Sequence, residues 1–321
     1  MPETVATPAE STTADLATEP RPVLVAVDGS AGSAAAVRYG ATAARRTGRP
    51  LRLLYVVPDY VSITGGVPAP FPLSPSELKD AGEAIVEEAF RVAREIVPAD
   101  RIARSVAIGS RVATLLEATA ESELTVLGDD RTAPAERLVV GSLVTKIAAQ
   151  SPSPVVTVPS SWTAEVEQRE DARVVVGVKD YDRVPDQLLR TAFRIAQDRA
   201  ARLEVVYVWD VRAMYPRMVV PTMDFPGWRA MVDHQLRAAA DAVGREFPGV
   251  DVGVRAWHGQ PAQVLRERAR DASLLVLARR AHGFPLGHFG STGRALLRHC
   301  TCPVEVLPLA EVQGTPRPEG H

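Results

Sequence analysis

The stretch from Gly128 to Ser142, GDDRTAPAERLVVGS, has residue types and spacing that suit a phosphate-binding loop. Its glycines let backbone N–H groups approach a phosphate closely. A helix beginning at the closing Gly-Ser pair would add unpaired donors and a partial positive charge. The same stretch carries three acidic residues against two arginines, and carboxylates beside a polyphosphate repel it. The sequence therefore indicates either a working anion-binding loop or the remains of one.

The chain repeats itself, and a second version of this region follows about 150 residues later. The segment from Val23 to Asp59 matches the segment from Val174 to Asp210, and Asp28 and Lys179 are 151 positions apart. Similar matches join the later parts of the two halves with nearly constant offsets. One domain has therefore been duplicated within the chain.

The length of 321 residues suits two domains, and 46% of the residues are apolar, enough for a core in each. Both ends are rich in polar residues and proline or glycine, as expected of disordered tails. A polar segment, SSWTAEVEQRED, separates the copies. We predict a tail, a first domain, a linker, a second domain and a tail, over residues 1–20, 21–160, 161–171, 172–310 and 311–321.

Each copy alternates short apolar, β-rich runs with helical patterns, which predicts an α/β fold. Runs such as VLVAV and LTVLG show little polar alternation, as expected for strands covered on both faces. Strand–helix alternation gives a mainly parallel sheet with right-handed crossovers, here five strands flanked by helices in each domain. Ligands of such sheets bind at the carboxyl ends of the strands. The residues that follow each strand are therefore the candidate site.

At these positions the sequence resembles the universal stress protein family in its tandem two-domain form. The resemblance rests on VAVDGS, on Gly-Ser followed by a helix in both copies, and on SPVVTVP and CPVEVLP. It covers residues 20–160 and 171–310, and implies two Rossmann-like domains of the adenine nucleotide α-hydrolase type. The family includes members that bind ATP and members that do not. A loop of the form Gly-x2-Gly-x9-Gly-(Ser/Thr) distinguishes the two groups.

The resemblance assigns six nucleotide-binding positions to the first copy: Asp28, Leu51, Gly128, Arg131, Gly141 and Ser142. Asp28 would lie near the nucleoside and Leu51 would pack on adenine, although Asp28 also suits a plain strand–helix turn. Arg131 stands where the loop needs its second glycine, so it either blocks the phosphate or holds it with its guanidinium. Ser142 is expected at a helix start, where it caps the helix or donates to phosphate.

The second copy departs further from the pattern. Lys179 replaces the acidic residue, and alanines stand at the first two glycine positions. Its basic loop keeps four candidate anion-binding residues: Gly283, Gly287, Gly290 and Ser291. We expect ATP as the candidate cofactor, held by the first domain more readily than by the second.

Bulk properties exclude several other classes. The net charge of −2 gives no nucleic-acid signature, and no apolar run is long enough to cross a bilayer. The acidic start lacks the basic region of a signal peptide. Cys300 and Cys302 are too few for a disulfide framework, and with the nearby histidines they lack zinc-site spacing. We expect a cytoplasmic protein without a metal, a membrane or a nucleic-acid partner.

Two further features indicate contacts with proteins. Long segments rich in proline and apolar residues, 60–77 and 211–228, suit a lid or a surface for an unidentified protein partner, or packing on their own domain. The apolar last strands, PVVTV and PVEVL, are candidate edges. Through them the two copies would pair within one chain, or two chains would form a homodimer.

Three functions remain open. The first is a stress-response regulator or sensor with degenerate, partial ATP-binding loops. The second is a nucleotide-free module that docks proteins. The third is a weak ATP-cleaving enzyme, which lacks support because no P-loop, carboxylate cluster or nucleophile–base pair is evident. We therefore predict no catalytic residues.

Overall fold

The computed structural model describes residues 20–58, 75–129, 137–210, 225–280 and 290–309, and it describes only the backbone at residues 75, 137–142, 225 and 280. The predicted tails lie outside these residues, apart from residue 20, and so does most of the two long segments. The ends of those segments, residues 75–77 and 225–228, were expected in loops. They instead form the first turns of helices.

The described residues of the first copy form five strands and four α-helices in alternating order. The strands are β1 Val23–Ala26, β2 Leu51–Pro58, β3 Ile102–Gly109, β4 Leu124–Asp129 and β5 Val155–Pro159. The helices are α1 Ala31–Thr47, α2 Pro75–Ala93, α3 Arg111–Ala120 and α4 Arg137–Gln150.

The second copy repeats the arrangement. Its strands are β6 Arg173–Val178, β7 Arg202–Trp209, β8 Val252–His258, β9 Leu274–Arg280 and β10 Val304–Leu309. Its helices are α5 Asp186–Asp198, α6 Phe225–Gly244, α7 Pro261–Arg268 and α8 Ser291–His299.

All ten strands form one sheet in the order β3-β2-β1-β4-β5-β10-β9-β6-β7-β8. The strands within each copy are parallel, and the copies meet where β5 and β10 pair antiparallel. The last strands therefore pair within the chain and lie at the centre of the sheet. Each last strand is the edge of its own copy's five strands, and the two edges pair with each other within the chain, which is one of the two predicted alternatives. The edges of the combined sheet are β3 and β8.

Helices cover both faces of the sheet, so the fold has three layers and two buried cores. One core joins α1, α2, α5 and α6 to one face, and the other joins α3, α4, α7 and α8 to the opposite face. Small residues let α1 lie close to the sheet, since a Cβ on Gly40 would stand 2.4 Å from Val25 Cγ2. The predicted α/β class, with parallel strands between helices, is confirmed.

The segment expected to be a polar linker contributes to the contact between the copies. It contains a short 3-10 helix, Ala164–Glu167. Trp162 is buried against the ring of Tyr39, with centroids 5.1 Å apart. The carboxylate of Glu167 forms ion pairs with Arg46 of α1 and with Arg199 at the end of α5. This segment therefore anchors both copies to each other.

Candidate functional site

The carboxyl edge of the first copy has the geometry of a ligand-binding crevice. In the sheet, β1 lies between β2 and β4. The chain builds the sheet outward from β1 on one side and later continues it on the other, so the strand order switches beside β1. Open α/β sheets bind ligands at such a switch point. Asp28 follows β1, Asp129 ends β4, and the same parallel register brings these two acidic residues to adjacent strand ends.

Asp28 is exposed at this edge, and its side chain closes the turn into α1. Its Oδ1 accepts a hydrogen bond from the Ser30 amide at 3.0 Å, while its own amide donates to Ser33 Oγ at 3.2 Å. Ser30 caps α1 by accepting from the Ser33 amide at 3.1 Å. The turn therefore explains the Asp-Gly-Ser sequence by itself. Oδ2 of Asp28 has no hydrogen-bond partner among the described residues, so it is available to a ligand hydroxyl.

Gly128 is required by packing in this structure. A Cβ at this position would stand 2.4 Å from the backbone carbon of Gly32 and 2.5 Å from its oxygen. The glycine thus lets β4 approach the first turn of α1. No phosphate is needed to explain it.

Gly141 and Ser142 do not begin a helix, contrary to expectation. Helix α4 starts at Arg137, so this pair occupies the fifth and sixth positions. Only the first four amides of a helix lack partners inside it. The amides of Gly141 and Ser142 are therefore committed to the helix, and the loop predicted from the Gly-Ser pair does not form in the expected way. Arg131 lies outside the described residues.

Leu51 cannot serve as the expected contact for adenine. It is the first residue of β2, pairs with Val23 and is fully buried at 0% exposure. At about 3.3 Å per residue, the opposite, carboxyl end of β2 is roughly 20 Å away. The error arose because apolarity identifies a strand residue but not the end of the strand that faces the ligand. Val57 and Pro58 are the last two residues of β2, at that edge.

In the second copy, aromatic side chains fill the corresponding region. Tyr181, shortly after β6, contacts the rings of Tyr207 and Trp228 with centroids 5.3 and 5.9 Å apart. Trp209, the last residue of β7, contacts Trp228 at 4.7 Å and His258 at 4.4 Å. These rings lie at the carboxyl edge beside β6, the region equivalent to the one beside Asp28 in the first copy. Lys179 is exposed next to them.

Of the four candidate anion-binding residues in the second copy, the structure describes Gly290 and Ser291. Ser291 is the first residue of α8 and Gly290 is its N-cap, as the sequence predicted. The cap has no side-chain hydrogen bond, and Gly283 and Gly287 lie outside the described residues. In the regions the structure describes, no group of three or more His, Cys, Asp and Glu side chains is arranged for a metal ion. The same residues contain no helix able to span a membrane.

Sequence reasoning missed a buried polar cluster at the seam between the copies. Arg199 donates to Tyr39 Oη at 2.5 Å and to Glu167 Oε1 at 2.6 Å. Glu305 of β10 is also buried, directly across the seam from Val156 of β5. The first copy has the apolar Val156 at the position where the second copy has Glu305. This exchange of an apolar residue for an acidic one was the signal that the sequence offered.

These features define an α/β protein with two Rossmann-like halves. The universal stress protein family matches residues 19–159 and again residues 172–308, and the chain belongs to this family. It is accordingly a stress-response protein with tandem domains.

Similar proteins span the whole arrangement. The universal stress protein Rv2005c of Mycobacterium tuberculosis is 29% identical over 290 residues, covering 88% of this chain and 96% of its own. Rv1996 of the same organism is 28% identical over 318 residues, covering 92% and 97%. The crystal structure of a universal stress protein from Archaeoglobus fulgidus superposes with a TM-score of 0.64 at 19% identity, covering 89% and 98%, and supports the fold.

Proposed function

We propose that this protein is a cytoplasmic stress-response regulator whose first copy binds an adenine nucleotide chiefly through its nucleoside. The observation that carries the proposal is the asymmetry of the two crevices. In the first copy Asp28 is exposed at the strand switch point, whereas Tyr181 and Trp209 fill the matching region of the second. Cys300 and Cys302 are buried and form no disulfide, which suits a reducing compartment.

The phosphates contribute little in this proposal. The acidic residues Asp28 and Asp129 lie at adjacent strand ends, where they repel a polyphosphate. The amides of Gly141 and Ser142 are bonded within α4. A ribose hydroxyl, in contrast, is a donor that suits the free Oδ2 of Asp28. The chain would therefore sense the nucleoside part of its ligand and act through a change of conformation, without catalysis.

Titration calorimetry with adenosine, AMP and ATP tests this directly. We expect the three dissociation constants to agree within about threefold. Asp28→Asn keeps the acceptor for Ser30 but removes the negative charge, and it should weaken all three about tenfold or more. Lys179→Ala is the matched control at the equivalent position of the second copy and should leave them unchanged. ATP binding more than tenfold tighter than adenosine would refute the role assigned to the nucleoside.

A nucleotide-free interaction module is the second candidate function. The filled crevice of the second copy and the helical position of Ser142 favour it. To distinguish the two candidates, the purified protein is denatured by heat and the supernatant is separated by ion exchange beside nucleotide standards. Retained adenine nucleotide supports the first candidate. Its absence, together with no binding at millimolar adenosine or ATP, supports the second.

A further inference from the structure

A cavity of about 660 Å³ lies between α1 and α5, over the seam where the two copies meet. Its volume is within the range of small-molecule binding sites, about 300–1,000 Å³. The two helices contribute equivalent faces of the duplicated unit to its walls: Tyr39, Ala43 and Arg46 from α1, and Thr191, Ile195 and Asp198 from α5. The cavity is therefore a product of the pairing between the copies, and it is separate from the crevice beside Asp28.

A buried carboxyl group lies in the cavity wall. Glu305 is 6% exposed, and its carboxyl group forms no hydrogen bond within the part of the chain that the structure describes. Burial raises the pKa of Glu305 to about 7, while the charge of Arg199 acts in the opposite direction. Buried polar groups are almost always hydrogen-bonded, because an unpaired one costs free energy. Glu305 is thus an acceptor with no donor among the described residues, and it borders the cavity.

The neighbouring arginines do not supply that donor. Arg199 is held by Tyr39 at 2.5 Å and by Glu167 at 2.6 Å, and Arg46 is paired with the same glutamate. Glu167 supplies one negative charge against these two guanidinium groups, so it engages both of them but neutralises only one positive charge. Two carboxyl groups that line the cavity have no ion pair among the described residues: the buried Glu305 and the exposed Asp198. Of the two, Glu305 is the one removed from bulk solvent.

The mouth of the cavity offers a positive charge. Arg194 of α5 lines it, is exposed, and has no partner among the described residues. Arg49, on the other side, is engaged by Glu123 at 3.2 Å. Arg194 is thus the guanidinium available to an anionic group, which it can bind in bidentate fashion.

We propose that this cavity binds a small amphoteric ligand whose ammonium group pairs with Glu305 and whose carboxylate pairs with Arg194. An ammonium group brings three donors and a positive charge, which satisfies the unpartnered carboxyl. A ligand with both charges adds no net charge to the enclosed site. Molecules of the amino-acid class, with the two groups separated by a short chain, have this chemistry.

Titration calorimetry with a matched ligand series tests the proposal. The probes are ω-amino acids with two to five methylene groups, beside the alkylamine and the alkanoate of each length. We expect at least one amino acid to bind saturably and at least tenfold tighter than its singly charged analogues. Glu305→Gln and Arg194→Gln should each weaken it tenfold or more. Arg190→Gln alters an arginine of the same helix that pairs with Glu246 and does not line the cavity, so binding should be unchanged.

Proton release provides a second readout that a purely structural role would not produce. Pairing with an ammonium group ionises Glu305, so binding at pH 6 should release nearly one proton, and at pH 8.5 almost none. Calorimetry in two buffers of different ionisation enthalpy measures this number. If Glu305→Gln does not fold, Glu305→Val replaces it, since valine occupies the matching position 156. Absence of saturable binding by every ω-amino acid, or equal binding by the variants, would overturn the proposal.

Discussion

Arg199 of the second copy donates a hydrogen bond to the hydroxyl of Tyr39 in the first copy, at 2.5 Å. Both side chains are nearly inaccessible to solvent, and the guanidinium also pairs with Glu167 of the connecting segment. One arginine thus links three parts of the chain. Removing one partner of a buried charged group is costly, since the charge that remains has lost both water and its acceptor.

Tyr39→Phe tests this link with the loss of one oxygen atom. The substitution leaves a buried nitrogen of Arg199 without its acceptor, so the free energy of unfolding should fall by about 2 kcal/mol. Urea unfolding followed by circular dichroism measures the change. Tyr55→Phe in β2 is the control, because the Tyr55 hydroxyl has no hydrogen bond within the described residues. It should change stability by less than about 0.5 kcal/mol, and an equal loss in the two variants would contradict the interpretation.

The sequence predicted the duplicated architecture well because its signals are local. Strands covered on both faces appear as short apolar runs, and the two copies show the same pattern of runs. The seam could not be deduced in the same way. Apolar strands such as β5 show that both faces are buried, but they do not show which strand lies beside them. The sequence therefore left pairing within the chain and pairing between chains equally open.

The candidate site was harder to predict, because its geometry depends on the residues at which helices and strands begin and end. Gly141 and Ser142 suit a helix N-terminus, yet the preceding apolar residues extend α4 back to Arg137. Gly128 suits a phosphate loop, but its backbone contact with Gly32 arises only in three dimensions. Glu305 gave no motif at all, since its burial depends on the partner strand.

Gly128→Ala should destabilise the protein even when no nucleotide is present. The added Cβ would overlap the backbone of Gly32, which cannot rotate away as a side chain can. Overpacking of this kind costs about 1–3 kcal/mol, measurable as a lower urea midpoint. Gly249→Ala is the control, because a Cβ added there would meet nothing within 4 Å. A neutral result for Gly128→Ala would indicate that the glycine serves a ligand instead.

Ala200→Gly should stabilise the protein. Ala200 follows α5 with φ +49°, a left-handed conformation that favours glycine, and the equivalent residue after α1 is Gly48 with φ +65°. A non-glycine residue in this region costs about 1 kcal/mol. The reciprocal change, Gly48→Ala, should destabilise by a similar amount. Thermal unfolding of both variants checks the pair, and changes of the same sign would disprove the conformational explanation.

The stability contributed by Glu305 should fall as pH rises. Its pKa is raised from 4.5 to about 7 by burial, so between these values the folded protein keeps a proton that the unfolded chain releases. The charged and titratable groups that line the cavity with it are Tyr39, Arg46, Arg49, Glu123, Arg194, Asp198 and Arg199, and Glu167 pairs with Arg46 and Arg199. Burial raises the pKa of Tyr39 too, so its hydroxyl stays neutral throughout this range.

Glu305→Gln imitates the protonated side chain and isolates this effect. The unfolding free energy of the variant minus that of the natural protein should rise by about 3 kcal/mol between pH 4.5 and pH 8. The gain should level off above the folded pKa, where Glu305 is ionised in both states. Urea titrations of both proteins at intervals of half a pH unit give the difference curve. A flat curve would show that Glu305 is already ionised at pH 4.5, with Arg199 balancing its charge.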